Sequence, residues 1–207
     1  MRNGDFVMCR HEFMYKQVDG EGLGYAPYTL AESRAIPFKT NGYILGTGGS
    51  SRANMEILYQ FTAMQRYLAT AGNENVVDNI AKCLRAQWKV PSIQACVLYS
   101  WRASNAKDTP DASLSKIKAE AWAFCQQAAI LLHEVDPQAA ADVKKHTMLD
   151  STSNRPDFSV IKNAFRGANI NKMGLKCSDI GGLDDEAYGS EVLSLLCFTS
   201  TKVQILT

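Results

Sequence analysis

The chain lacks most of the features that would announce a chemistry. Its 207 residues contain three histidines, which leaves little room for a His-built metal site. Six cysteines show neither a Cys-x-x-Cys pair nor zinc spacing. No Gly-x-Ser-x-Gly elbow marks a hydrolase nucleophile, and no Gly-Lys-Ser/Thr closes a phosphate loop. Nucleophilic catalysis and nucleotide chemistry are therefore without support, and the chain reads as non-catalytic. Charge of one sign is also missing: 22 Lys and Arg stand against 21 Asp and Glu. That balance argues against broad nucleic-acid binding, which needs a basic face to displace counterions. No apolar run approaches the roughly 20 residues of a membrane span. Met1-Arg2-Asn3-Gly4-Asp5 leads into a mixed segment without the apolar core of a signal peptide.

What is present is a helical pattern. With 46% hydrophobic residues the chain can bury a core without staples. Residues 1–26 read as an irregular N-terminal segment with Gly20, Gly22 and Gly24 before Pro27. Residues 28–36 predict a short helix that stops before Pro37. A loop with four glycines spans Asn41 to Gly49. Ile57, Phe61, Met64 and Leu68 then recur at helical spacing, and Gly72 marks a stop. Val76, Ile80, Leu84 and Trp88 predict a second long helix, and Pro91 opens a third at its first turn. Leu114, Ile117, Ala121, Phe124, Ala128 and Leu131 form the cleanest stripe. Asp136-Pro137 starts another helix that reaches about Leu149, and Phe158, Ile161 and Phe165 predict one more. No strand-period run is convincing, even in the apolar stretch Val192 to Leu206. The expected fold is all-α, with roughly six or seven helices in bundle-like packing and a loop-rich C-terminal end.

Cys96 and Cys125 fall on apolar helix faces, where a free Cys behaves as a small buried hydrophobe. An even count permits disulfides, but a core of this size does not need them, so most of the six are expected to be free. Trp88, Trp101 and Trp122 sit at helical spacing on apolar faces and are expected in the core. His133 and His146 lie near predicted helix ends, where the dipole favours a cation. Met8, Cys9, His11 and Met14 are soft-ligand types within seven residues, a coincidence of an irregular segment rather than a copper site.

The most specific polar group is Glu32, Arg34 and Glu56. Carboxylate oxygens suit a hard cation such as Fe(III), with phenolates from Tyr28, Tyr59 or Tyr99. Arg34 can hold an anion with bidentate geometry. Gly46 to Arg52 precedes a helix, so the Ser50–Ser51 start can cap that helix or hold a small anion on its amides. Equally, Glu32 and Arg34 can form a structural ion pair while the tyrosines cap the core.

The order of these blocks resembles the algal iron-assimilation proteins, the Fea type first described as high-CO2-inducible secreted proteins, and the related phytotransferrins. The blocks are Leu30-Ala31-Glu32-Ser33-Arg34-Ala35, Pro37-Phe38-Lys39-Thr40 and Ala53-Asn54-Met55-Glu56-Ile57. Then come Leu68-Ala69-Thr70-Ala71-Gly72, Val90-Pro91-Ser92-Ile93-Gln94-Ala95 and Val97-Leu98-Tyr99. The last is Lys172-Met173-Gly174-Leu175-Lys176-Cys177-Ser178-Asp179-Ile180-Gly181-Gly182. Together they cover about residues 25–190, the C-terminal half of such a protein. Residues 27–190 are thus expected to be a partial iron-assimilation-like domain, with 191–207 a tail unlike the family. Family cysteines are replaced by Ala35 and Lys172, which implies that Cys177 has lost its partner. Met1 is then not expected to be the native start.

The resemblance implies a secreted, periplasmic or cell-surface protein that binds ferric iron, with carbonate as a companion anion. It implies Glu32, Glu56 and Tyr28 or Tyr99 as ligands, with Arg34, Ser50 and Ser51 on the anion. It also implies partners in a missing N-terminal half or a cell-surface uptake protein. The alternative is a non-catalytic helical cell-surface or interaction domain without metal, in which Glu32, Arg34 and Glu56 are a buried network fixing helix register.

Overall fold

The computed structural model describes residues 27–42, 50–106, 110–149 and 155–184. The N-terminal 26 residues, most of the Gly-rich loop and the segment from 185 onward, including Val192 to Leu206, lie outside them. So does the Met8, Cys9, His11 and Met14 group. The described residues are all-α, as expected. They form α1 (Pro27–Ala35), α2 (Arg52–Leu68), α3 (Glu74–Asn105), α4 (Asp111–His133), α5 (Pro137–Thr147), α6 (Phe158–Ala164), α7 (Gly167–Lys172) and a single turn, α8 (Cys177–Ile180).

The centre of the fold is α3. At 32 residues it spans about 48 Å, and α1, α2, α4, α6 and α8 all pack on it. Val90 to Ser100 is buried without a break, as a helix surrounded on every side requires. Two expected helices are therefore one. Pro91 does not open a helix; it sits inside α3. It has no N–H for the Gln87 carbonyl, so one ladder bond is absent. The flanking turns are held by burial of Val90, Ile93 and Val97 against the surrounding helices, and that packing overrides the local break.

Around α3 the amphipathic stripes mostly turn inward as their spacing predicts, but Val76 at the start of α3 is exposed and the expected Leu114 and Leu131 of α4 are only half-buried. Ile57, Phe61 and Met64 of α2 meet Ile80 and Leu84 of α3 in a small separate core. Ile117, Ala121, Phe124, Ala128 and Leu132 of α4 join the main one. Ser51 caps α2 by accepting the Asn54 N–H, and Asp136 caps α5 by accepting the Ala139 N–H. That helix ends at Thr147, slightly short of the expected Leu149.

Three expectations need correction. Cys96 and Cys125 are as buried as predicted but are not free: they form a disulfide between α3 and α4. Small residues along this contact, including Ala95, Ala121, Ala128 and Ser100, let the two helices approach to 4.5 Å between the cysteine Cα atoms. Cys177 has not lost its partner either, since it is disulfide-bonded. Trp88 and Trp122 are about two-fifths exposed rather than core; Trp101 does pack inward, edge-on to Phe158 at 5.1 Å.

Candidate functional site

Glu32 and Arg34 do not pair. Two residues apart on a helix, their side chains leave on different faces. Glu32 turns to the start of α2. Its two carboxylate oxygens accept the Ser51 N–H at 3.1 and 3.0 Å, and one also accepts Asn54 Nδ2 at 2.6 Å. The other Asn54 amide hydrogen goes to the Tyr28 carbonyl at 3.0 Å. Asn54 is wholly buried, so this clasp is sealed from solvent on one side. The positive N-terminus of α2, where a small anion was expected at Ser50 and Ser51, thus meets the chain's own carboxylate. Ser51 is buried in the clasp; Ser50 is half-buried beside it.

Arg34 turns to α3 instead. Its Nη2 donates to the Tyr99 hydroxyl at 3.0 Å, and its guanidinium carbon lies 4.8 Å from the Tyr99 ring centroid. Tyr99 stacks nearly parallel on Phe124 of α4 at 5.4 Å. Arg102, one turn further along α3, brings a second guanidinium to 5.8 Å from the same ring. Arg34 Nε is buried without an acceptor.

Of the other expected ligands, Tyr28 enters the clasp through its backbone carbonyl. Glu56 is half-buried on α2, with no bond to Glu32 or Arg34 among the described residues. Tyr28 is half-buried one turn before Glu32, and Tyr59 is 69% exposed. Among the described residues, no three His, Cys, Asp or Glu side chains gather as a metal-binding group.

A further polar network lies beside the clasp. Arg52 Nη2 pairs with Asp179 at 3.3 Å, and its Nη1 donates to the Ser178 carbonyl. Asp179 also accepts the Lys176 N–H at 2.7 Å. Gln94, buried in α3, donates to Thr40 Oγ1 and to the Ile180 carbonyl. The Gly182 and Asp184 amides donate to the Phe38 and Pro37 carbonyls, and the Arg52 amide donates to Thr40. Residues far apart in sequence therefore close one knot from α1, its following turn, the head of α2, the middle of α3 and α8. Sequence reasoning missed Gln94, Arg52 and Asp179 as bonding partners. The only local signal was that Gln94 and Asp179 lie inside quoted blocks; Arg52 stands just before one.

No protein-family model matches the chain, and no curated protein or solved structure matches it.

Away from this end, a cleft of about 460 Å³ lies between α5 and α6, lined by Asp136, Asp142, Asn163 and Asn169 among others. Hydrogen bonds from the Ala139 amide and the Asn169 side chain hold Asp136 below the ordinary carboxylate value. Asp157, which caps α6, is held low chiefly by the Ser159 hydroxyl. Both carboxylates have helix-capping duties. His133 is exposed in the last turn of α4 and His146 half-buried in that of α5, as the dipole argument expects.

Proposed function

We propose that the chain is a non-catalytic, extracytoplasmic helical domain of the algal iron-assimilation type, with ferric iron as its cargo. One observation carries this proposal. The blocks on which the resemblance rests are spread over about 150 residues, yet they bond to one another: Glu32 to Asn54, Arg34 to Tyr99, Gln94 to Thr40 and Ile180, and the Gly182 amide to Phe38. Motif blocks that meet in space act as one structural unit, whereas chance matches would be scattered. The Cys96–Cys125 disulfide and the bonded Cys177 support an oxidising compartment, because cytosolic thiols are kept reduced.

Iron would need hard oxygen donors. Glu32 is a poor candidate as placed, since both of its oxygens already accept N–H donors. The half-buried Glu56 is better placed to offer an oxygen, and Tyr99 already accepts from Arg34.

The saturated state of Glu32 favours a second proposal for the same network: an extracytoplasmic interaction domain without metal, in which the clasp only fixes α1 on α2 and α3. Calorimetric titration of the oxidised chain with a ferric chelate, with and without bicarbonate, separates the two. Saturable binding that Glu56→Gln abolishes and Glu32→Gln spares would support iron as cargo and keep Glu32 in its structural role. Absence of heat under both conditions would sink the iron proposal and leave the metal-free domain.

A further inference from the structure

The cleft between α5 and α6 gathers polar side chains that neither the clasp nor the knot uses. At about 460 Å³ it has the size of a small-molecule site and far exceeds the space of one ion or one water. Asp136 and Asp142 come from the head of α5, Asn163 from α6 and Asn169 from α7, with Val160 and Ala164 between them.

Asn169 is the informative member. Only 8% of it is exposed. Its Nδ2 gives both hydrogens away, to Asp136 Oδ2 at 3.1 Å and to the Ala164 carbonyl at 2.9 Å. Both partners are acceptors, so the amide has one consistent orientation. That leaves its oxygen as an acceptor, and among the described residues no group donates to it. A nearly buried acceptor on a cleft wall costs free energy unless something entering the cleft supplies the donor.

The two carboxylates decide the charge of that donor. Asp142 Oδ1 accepts Gln138 Nε2 at 3.1 Å, and its Oδ2 has no donor among the described residues. Each oxygen of Asp136 accepts one N–H, from Ala139 and from Asn169, and these bonds keep it ionised. Lys172 adds a weaker pull on Asp136 but is exposed and forms no ion pair with it. The cleft therefore presents negative charge and open acceptors. These acceptors come singly, from separate side chains. Three non-planar N–H donors of an ammonium suit single acceptors, whereas a guanidinium fork seeks both oxygens of one carboxylate. A bare metal ion would leave Val160 and Ala164 uncovered; an aliphatic stem would pack on them.

We propose that this cleft binds a primary aliphatic amine, with its ammonium on Asp142 and Asn169 Oδ1 beside Asp136 and its methylene stem against Val160 and Ala164. The site lies away from the Glu32 clasp. It goes beyond iron binding and does not depend on it.

The test uses the full, oxidised chain stripped of metal, so that its outcome is separate from that of the ferric titration. 1,4-Diaminobutane and Nα-acetyl-lysine amide are titrated separately by calorimetry, with n-butanol as the uncharged control and calcium chloride as the metal control. At least one amine should bind saturably below about 10 mM while butanol does not. Preference for the diamine would name a free amine as the ligand, and preference for the lysine amide a lysine side chain. Asp142→Asn keeps an acceptor for Gln138 but removes the charge, and should weaken binding about tenfold. Val160→Lys places an ammonium in the cleft and should abolish binding. Asp78→Asn, which removes an exposed carboxylate from α3, should stay within about twofold. Near-UV circular dichroism checks that each variant folds, and if Val160→Lys does not, Asp142→Asn decides alone. The proposal is overturned if neither amine saturates, if calcium binds where the amines do not, if butanol binds as well as they do, or if Asp142→Asn changes the affinity no more than Asp78→Asn does.

Discussion

Glu32 and Asn54 form the shortest side-chain contact of the clasp, and their chemistry makes it sensitive to a single atom. In Asn54→Asp an amide that donates to Glu32 and to the Tyr28 carbonyl becomes an acceptor facing two acceptors. Two carboxylates would then share a buried contact. We expect a loss of about 2–4 kcal/mol at neutral pH, partly recovered near pH 5 as the pair takes up one proton. Urea unfolding at the two pH values measures it, and an unchanged midpoint would mean the clasp is not formed. Gly181 is the other position where one atom decides. Its φ is +78°, and an added Cβ would collide with the Phe38 carbonyl, against which this turn lies. Gly181→Ala should therefore cost at least about 2 kcal/mol and shift the melting temperature accordingly. Glu32 and Arg34 stood out in the sequence as polar residues on an apolar frame. Their partners did not, because a hydrogen bond between residues 19 or 65 positions apart leaves no local pattern.

Helix existence and helix boundaries were read from different signals, with different success. Caps and stripes placed α2, α4 and α5 closely, because a capping Ser or Asp and a 3.6-residue period act within one turn. Pro91 misled because its penalty is local while the burial that offsets it comes from five neighbouring helices. Between elements, the Cys96–Cys125 bridge closes a loop of 29 residues, which in the chain-entropy view stabilises by about 3.5 kcal/mol. Replacing both cysteines by Ala should lower stability by roughly that amount in guanidinium unfolding. A change near zero would show that the close α3–α4 packing suffices alone. At the head of α5, Asp136 has its carboxyl held below the ordinary value of 3.8. The stability it lends is thus fully present above that value and is lost as pH falls below it. Asp136→Asn should flatten the acid limb of the stability curve below about pH 4 while weakening the cap at neutral pH. A parallel acid limb in both proteins would contradict this.

For the molecule as a whole, one end differs from the rest. The knot of Glu32, Arg34, Thr40, Arg52, Gln94, Tyr99 and Asp179 joins segments that would otherwise be held only by apolar packing. Its members bond mostly to backbone groups and to each other, so it makes this end of the bundle specific. The exception is Arg34, whose Nε is buried with no acceptor among the described residues. The Cys96–Cys125 disulfide adds a covalent tie between α3 and α4.

Composition and periodicity alone settled that the described chain is helical, where most of its helices start, and many of the residues that face inward, though not Trp88, Trp122 or Val76. Those properties follow from forces acting within a turn or two of the backbone. Which helix lies at the centre, that Cys96 faces Cys125, that Glu32 occupies the α2 terminus and that Arg34 stands over Tyr99 were decided by tertiary structure. Each depends on how far apart two helices come to rest and on which faces they turn to each other. That is set by the sum of many small packing terms across the core, not by any one stretch of sequence.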